Sequence, residues 1–136
     1  MKTSIKTPHL IRFNRLGSPE LGYISVAEYE KQIPFPIERV YWTYFTPEEV
    51  TRGHHAHHTL EQVVVALSGK LKIELESSNG ERHVFELSKP DQGLYIPRLF
   101  WRTLYFEHSS VLLCMASQVY KQEDYIRDYE EFRKLG

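Results

Sequence analysis

The segment Arg52-Gly53-His54-His55-Ala56-His57-His58 places four of the chain's seven histidines within five positions. Imidazole is the side chain whose ordinary pKa, near 6.5, lets it gain and lose a proton around neutral pH, and its nitrogens also ligate divalent metals. A pair of them aimed at one point suits either metal ligation or proton transfer. On an extended strand residues two apart share a face, so His55 and His57 point one way while His54 and His58 point the other. One pair, not both, can face a cavity. Upstream, Arg39 and Tyr41 are also two apart in a strand-like run, which sets a cation beside a phenol. Cys114, the lone cysteine, sits in the run Val-Leu-Leu-Cys-Met-Ala and reads as a buried, inert core thiol.

The elements that must position these groups are mostly β. Arg39 to Phe45 is rich in aromatic and β-branched residues, and Gln62 to Leu67 is apolar enough to be buried on both faces. Leu71, Ile73 and Leu75 alternate with Lys72, Glu74 and Glu76, and Asn79-Gly80 signals a two-residue hairpin into His83 to Leu87. Gly93 to Ile96, Phe100 to Phe106 and Val111 to Ser117 complete a series of strands at the spacing of a sandwich or jelly roll. Before Arg39 the chain is broken by Pro8, Pro19, Pro34 and Pro36, so the strands Leu10 to Phe13 and Tyr23 to Ala27 are short or lie at an edge. After Tyr120 the period changes: Tyr125, Tyr129 and Phe132, with Asp124 as N-cap, predict a short amphipathic helix in which the aromatics serve packing.

Composition narrows the function classes. At 136 residues the chain is one domain, 1–136, with 41% apolar and 26% charged types, and it buries roughly two-thirds of its unfolded surface. Seventeen basic against eighteen acidic residues give a net charge of -1, which singles out neither nucleic acid nor an anionic membrane as partner. The longest apolar runs, Val63 to Leu67 and Val111 to Ala116, fall far short of the ~20 residues of a spanning helix. The opening residues Met1 to Pro8 hold no apolar stretch of signal-peptide length, and a lone cysteine forms no internal disulfide, so a cytoplasmic location is expected.

His55-x-His57-x-x-x-Glu61 resembles the first half of the cupin motif, although Gly69 comes one residue later than that pattern has it. In the second half, Pro97-Arg98-Leu99-Phe100-Trp101-Arg102 keeps the proline but carries Leu99 at the glycine position and Arg102 at the position of the last metal-binding histidine. A guanidinium has no lone pair to offer and repels a cation. The resemblance therefore implies a metal-free cupin site, the alternative being a metal-dependent cupin enzyme such as a dioxygenase with His55, His57 and Glu61 as ligands.

Within that fold, Arg39-Val-Tyr-Trp, Arg52-Gly-x-His-Ala-His, Gln62-Val, Ile96-Pro, Trp101-Arg102 and Asp124-Tyr-Ile-Arg-Asp-Tyr-x-x-Phe132 resemble the TDP-4-keto-6-deoxy-D-glucose 3,4-ketoisomerases over residues 8–133. The match puts His58 where that family carries a lysine. The resemblance implies an all-β, cupin-type jelly-roll barrel with a short C-terminal helix, and a cofactor-free homodimer acting on a TDP-linked ketosugar. It implies catalysis by His55, His57 and Tyr41, and substrate binding by Arg39, Arg52, Gln62 and Arg102. Moving a ketone from carbon 4 to carbon 3 needs a base for the carbon 3 proton, a donor for the enediolate and an acid for carbon 4. Guanidinium forks suit the diphosphate; of Arg39, Arg52, Arg98 and Arg102, Arg102 is the strongest candidate and Arg98 the weakest, because it lies in a turn. Trp42 and Trp101 could stack on a base but read as core residues. A noncatalytic sugar-nucleotide binding module, in which the histidines only hydrogen-bond the ligand, is the reading from a different class.

Overall fold

Alternation of apolar and polar residues builds two sheets whose apolar faces must meet. The computed structural model describes residues 5–136, so the reading of the first four residues lies outside it. The strands are β1 (His9–Arg12), β2 (Leu16–Ser18), β3 (Gly22–Ile24), β4 (Arg39–Thr43), β5 (Thr51–His57), β6 (Gln62–Ser68), β7 (Leu71–Ser77), β8 (Arg82–Leu87), β9 (Gln92–Ile96), β10 (Phe100–Phe106), β11 (Val111–Ala116) and β12 (Tyr125–Ile126). One helix, α1 (Tyr129–Arg133), follows. One five-stranded sheet runs β1-β9-β6-β11-β4, the other β12-β5-β10-β7-β8, and every strand pairing is antiparallel. This is the jelly roll, with the sheets facing each other as an open, flattened barrel.

The core between the sheets takes Leu71, Ile73 and Leu75 from β7, Val64 and Ala66 from β6, and Leu104 and Phe106 from β10. As its composition predicts, β6 is buried on both faces. Val63 and Val65 turn outward into a second cluster with Phe13, Ile33, Phe35, Tyr95 and Met115. The proline-broken arm before β4 thus seals the outer face of the first sheet, each large apolar side chain contributing about 1.5–3 kcal/mol by leaving water.

Three local expectations are corrected. The β7–β8 hairpin closes with Ser77 N–H donating to the Glu81 carbonyl at 2.8 Å, leaving the three-residue loop 78–80 with Gly80 at φ 92°, not a two-residue turn. The C-terminal helix starts later than the aromatic spacing predicts: Asp128, not Asp124, is its N-cap, accepting from Glu131 N–H at 3.1 Å, and Tyr125 lies in β12 against β5. Trp42 is exposed on the outer side of edge strand β4, whereas Trp101 does pack, against Tyr129 and Phe132.

Candidate active site

The histidine strand is not regular, and its irregularity shapes the site. Arg102 on β10 lies opposite His55 and Thr103 opposite Gly53, so His54 is an extra residue, a β-bulge. Gly53 at φ 93° and His54 at φ 57° are both in the left-handed region. A Cβ on Gly53 would sit 2.7 Å from the Arg102 carbonyl oxygen, which demands glycine there. Strict alternation would send Arg52 and His55 to opposite faces, but the bulge adds a step and both line one cavity. His55 and His57 keep common parity beyond it. His54 is exposed and bonds Thr51 Oγ1 at 2.8 Å, and His58, past the end of β5, is also exposed.

The cavity lies between the sheets, at about 90 Å³, and its polar lining is Tyr41, Thr43, Arg52, His55, Gln62 and Arg102. At that size it is smaller than the roughly 300 Å³ of an ordinary small-molecule pocket. Arg102 is 3% exposed, with Nη2 donating to the Phe100 carbonyl at 3.2 Å and Nη1 to Gln62 Oε1, and Nε has no partner among the described residues. Gln62, also buried, spends its amide nitrogen on Tyr41 Oη at 3.0 Å and Cys114 Sγ at 3.1 Å. Burial pushes the Tyr41 phenol well above its ordinary pKa, so it stays a donor, and pushes Cys114 up to about 11, in keeping with an inert thiol. Arg39 stacks on Tyr41 at 4.9 Å, as their common parity predicts.

The two imidazoles meet edge to face, with ring centroids 4.8 Å apart. His55 Nδ1 lies 2.9 Å from the Gly53 carbonyl oxygen, which can only accept, so Nδ1 carries the proton and Nε2 is left with a free lone pair. Burial, then the nearby Arg102 charge, lower its pKa to about 4. His57 is 0% exposed, neither ring nitrogen has a partner among the described residues, and the same causes hold it neutral still more strongly. Tyr125 packs on both rings, at 5.0 Å from His55 and 4.5 Å from His57, and Arg127 stacks on Tyr125 at 4.4 Å.

The cavity lining thus gathers Tyr41, Arg52, His55, Gln62 and Arg102, with His57 in ring contact with His55 and Arg39 stacked on Tyr41. Glu61 is turned away: it accepts from Tyr95 Oη and lies 3.8 Å from Lys6 Nζ. Among the described residues no three His, Cys, Asp or Glu side chains gather to hold a metal. Arg98 Nη1 donates to the His58 carbonyl at 3.2 Å, as a turn residue does. Leu99, at the glycine position of the cupin pattern, keeps the left-handed φ of 61°, a cost of about 1–2 kcal/mol offset by its packing near Ala56, Ile126 and Phe132. Tyr125 and Arg127 are site residues the spacing argument missed. The signal for them was Asp128-x-x-Glu131, an N-cap pattern that starts the helix at Tyr129 and frees Tyr125 for a strand. A larger groove, about 290 Å³, lies on the outer face by Glu76, Arg82, Trp101 and Tyr129. The buried side-chain nitrogens lacking partners among the described residues all belong instead to Arg39, His57 and Arg102.

Residues 6–136 match the family described as WxcM-like, C-terminal (FdtA). A TDP-4-oxo-6-deoxy-alpha-D-glucose-3,4-oxoisomerase of Aneurinibacillus thermoaerophilus is 39% identical over 126 residues, covering 92% of this chain and 89% of that protein. Among solved structures, QdtA, a sugar 3,4-ketoisomerase of Thermoanaerobacterium thermosaccharolyticum in complex with TDP, aligns with a TM-score of 0.89 at 37% identity, over 94% of this chain and 93% of that one. A variant of that enzyme has been crystallised with TDP-4-keto-6-deoxyglucose. The WlaRB TDP-quinovose 3,4-ketoisomerase of Campylobacter jejuni also aligns at 0.89, with 35% identity over 96% of this chain and 99% of that one. Matched in sequence and in fold along nearly its whole length, the chain belongs to the WxcM-like, C-terminal (FdtA) family of sugar 3,4-ketoisomerases.

Proposed function

We propose that the protein converts a TDP-4-keto-6-deoxyhexose to its 3-keto isomer by proton transfer through an enediolate. The observation that carries this reading is His55, a neutral imidazole with Nδ1 tied to a carbonyl and Nε2 free, beside Arg102, a buried cation with no anion. His55 Nε2 takes the carbon 3 proton, which is acidic because carbon 3 is α to the carbon 4 ketone. The electron pair of that bond forms the carbon 3–carbon 4 double bond, and the carbonyl oxygen becomes the enediolate anion. Arg102 supplies the countercharge in a dry setting where it is worth most, and the Tyr41 hydroxyl is the donor to the developing oxyanion. The pair of histidines returns a proton to carbon 4 while the carbon 3 hydroxyl gives up its proton and closes to the new ketone. Net, one carbon-bound and one oxygen-bound proton change place, so no electron acceptor is required. Gln62 acts through its neighbours, holding Arg102 and Tyr41 in register. Arg52 and Arg39 serve the diphosphate.

The chain works, in this reading, as a cytoplasmic homodimer. Light scattering on the purified protein tests the dimer. Incubation with TDP-4-keto-6-deoxyglucose in heavy water, followed by proton NMR, tests the chemistry: deuterium at carbon 4 of a 3-keto product supports it. Recovery of unchanged substrate, or product with protium alone at carbon 4, counts against it.

A further inference from the structure

We infer that Tyr125 is a positioning residue for the histidine pair, its ring closing over both imidazoles, and that Asp124 clamps it in place. A ring nitrogen that is hydrogen-bonded fixes an imidazole's orientation, and His55 has such a bond. Among the described residues His57 has none at either nitrogen, so ring packing orients it. That packing comes from His55, at an interplanar angle of 84°, and from Tyr125, at 65°. Tyr125 sits directly opposite His57 in the β12–β5 pairing, the closest placement a neighbouring strand allows.

A two-residue strand at a sheet edge frays unless something else holds it. Asp124, 7% exposed, provides the hold. Its Oδ1 accepts from Thr59 N–H at 2.9 Å and Thr59 Oγ1 at 2.7 Å, and its Oδ2 from Leu60 N–H at 3.1 Å and Gln118 Nε2 at 2.9 Å. Its carbonyl accepts from His58 N–H at 3.0 Å. These bonds tie the turn that leaves His57 to the residue that precedes Tyr125. None of them is needed to close the sheets, since β5 is already held by β10.

The inference rests on the histidine pair being the proton-transfer groups, and its test separates the two ideas. The charged and titratable groups around the pair are Arg102 from β10, Arg39 and Tyr41 from β4, Arg127 beyond β12 and His54 on β5. All the cations among them oppose protonation, so a change on removing the ring reports admitted water. The side-chain NMR titration of His57, assigned by its loss in His57→Asn, is followed in the parent, Tyr125→Phe and Tyr125→Ala without substrate. In Tyr125→Ala, His57 should move toward the ordinary value near 6.5, and kcat should fall at least about tenfold with KM within about threefold. Tyr125→Phe should keep the parent titration. If Tyr125→Ala does not fold, Tyr125→Leu, which keeps apolar volume without the ring, carries the same expectations. Asp124→Asn should move His57 in the same direction by less. A His57 that titrates in Tyr125→Ala as in the parent overturns the inference. A protein inactive on the ketosugar but with the expected titrations overturns the isomerase reading and leaves the clamp standing.

Discussion

Arg102 and Glu76 are buried charges on paired strands β10 and β7, one residue apart across the ladder, and they are treated in opposite ways. Glu76, on the outer face, accepts from Tyr129 Oη at 2.5 Å and lies 3.3 Å from Arg82 and 3.4 Å from Arg133. Arg102, on the inner face, has two neutral acceptors, no carboxylate and an orphaned Nε. A satisfied charge pins α1 to the sheet. An unsatisfied one is tolerated where a ligand completes it, since an unpaired buried charge otherwise costs several kcal/mol. Neutralised burial is architecture here; in the proposed reaction the unneutralised charge is the counterpart of the enediolate anion.

The sharpest test of that contrast is on the inner side. His55→Asn removes the titratable base while keeping a polar side chain, and kcat should fall by about 10²–10⁴, with thermal unfolding near the parent's. Next comes Arg102→Met, expected to lower kcat by about 10²–10³ through loss of the countercharge. Its stability should change little, because freeing two neutral acceptors is offset by removing an unpaired charge. A large drop in melting temperature with the rate preserved would erase the distinction between the two sites. Glu76→Ala should do the reverse: it loses about 1–2 kcal/mol of stability, mostly the Tyr129 bond because the arginines are exposed, and leaves the rate per folded molecule unchanged.

A smaller effect is the pH dependence of stability. Burial holds His55 near 4, below its unfolded value near 6.5, and holds His57 lower still. The unfolded chain thus binds more protons between these values, so stability is full above about 6.5 and is lost as pH falls toward 4. Melting temperatures across that range should show the slope, and His55→Asn should make it shallower, with His57 contributing the remainder. The smallest effects expected are those of His54→Asn and His58→Asn, within about tenfold in rate, and of dialysis against a chelator, none. Activity lost to the chelator and restored by Zn²⁺, Mn²⁺ or Fe²⁺ would place a metal beside Arg102 and undo the comparison.

How legible this was in the sequence depends on what fixes each feature. The doubly buried β6, the alternation of β7 and the common face of Arg39 and Tyr41 follow from period and composition, and they stand as read. The pairing of His55 with His57 is also a matter of parity. The bulge at His54 is not, because a left-handed φ at a non-glycine residue leaves no local trace apart from Gly53. Tyr125 was hidden by an accident of spacing: Tyr125, Tyr129 and Phe132 fit a helical period, yet the helix begins only after Asp128. Trp42 departs from the core expectation because β4, at the sheet edge, leaves it exposed, and strand composition does not say which face the partner sheet covers.

The bulge also separates two kinds of evolutionary change. A strand propagates side-chain direction in steps of two, so an inserted or deleted residue inverts everything on one side of it. Because β5 absorbs its odd residue at Gly53-His54, the segment upstream, which aims Arg52, can be rephased by a single-codon deletion while His55 and His57 keep their bearing on β10. The direction of Arg52 on one side of this joint and of His55 and His57 on the other can therefore be set independently.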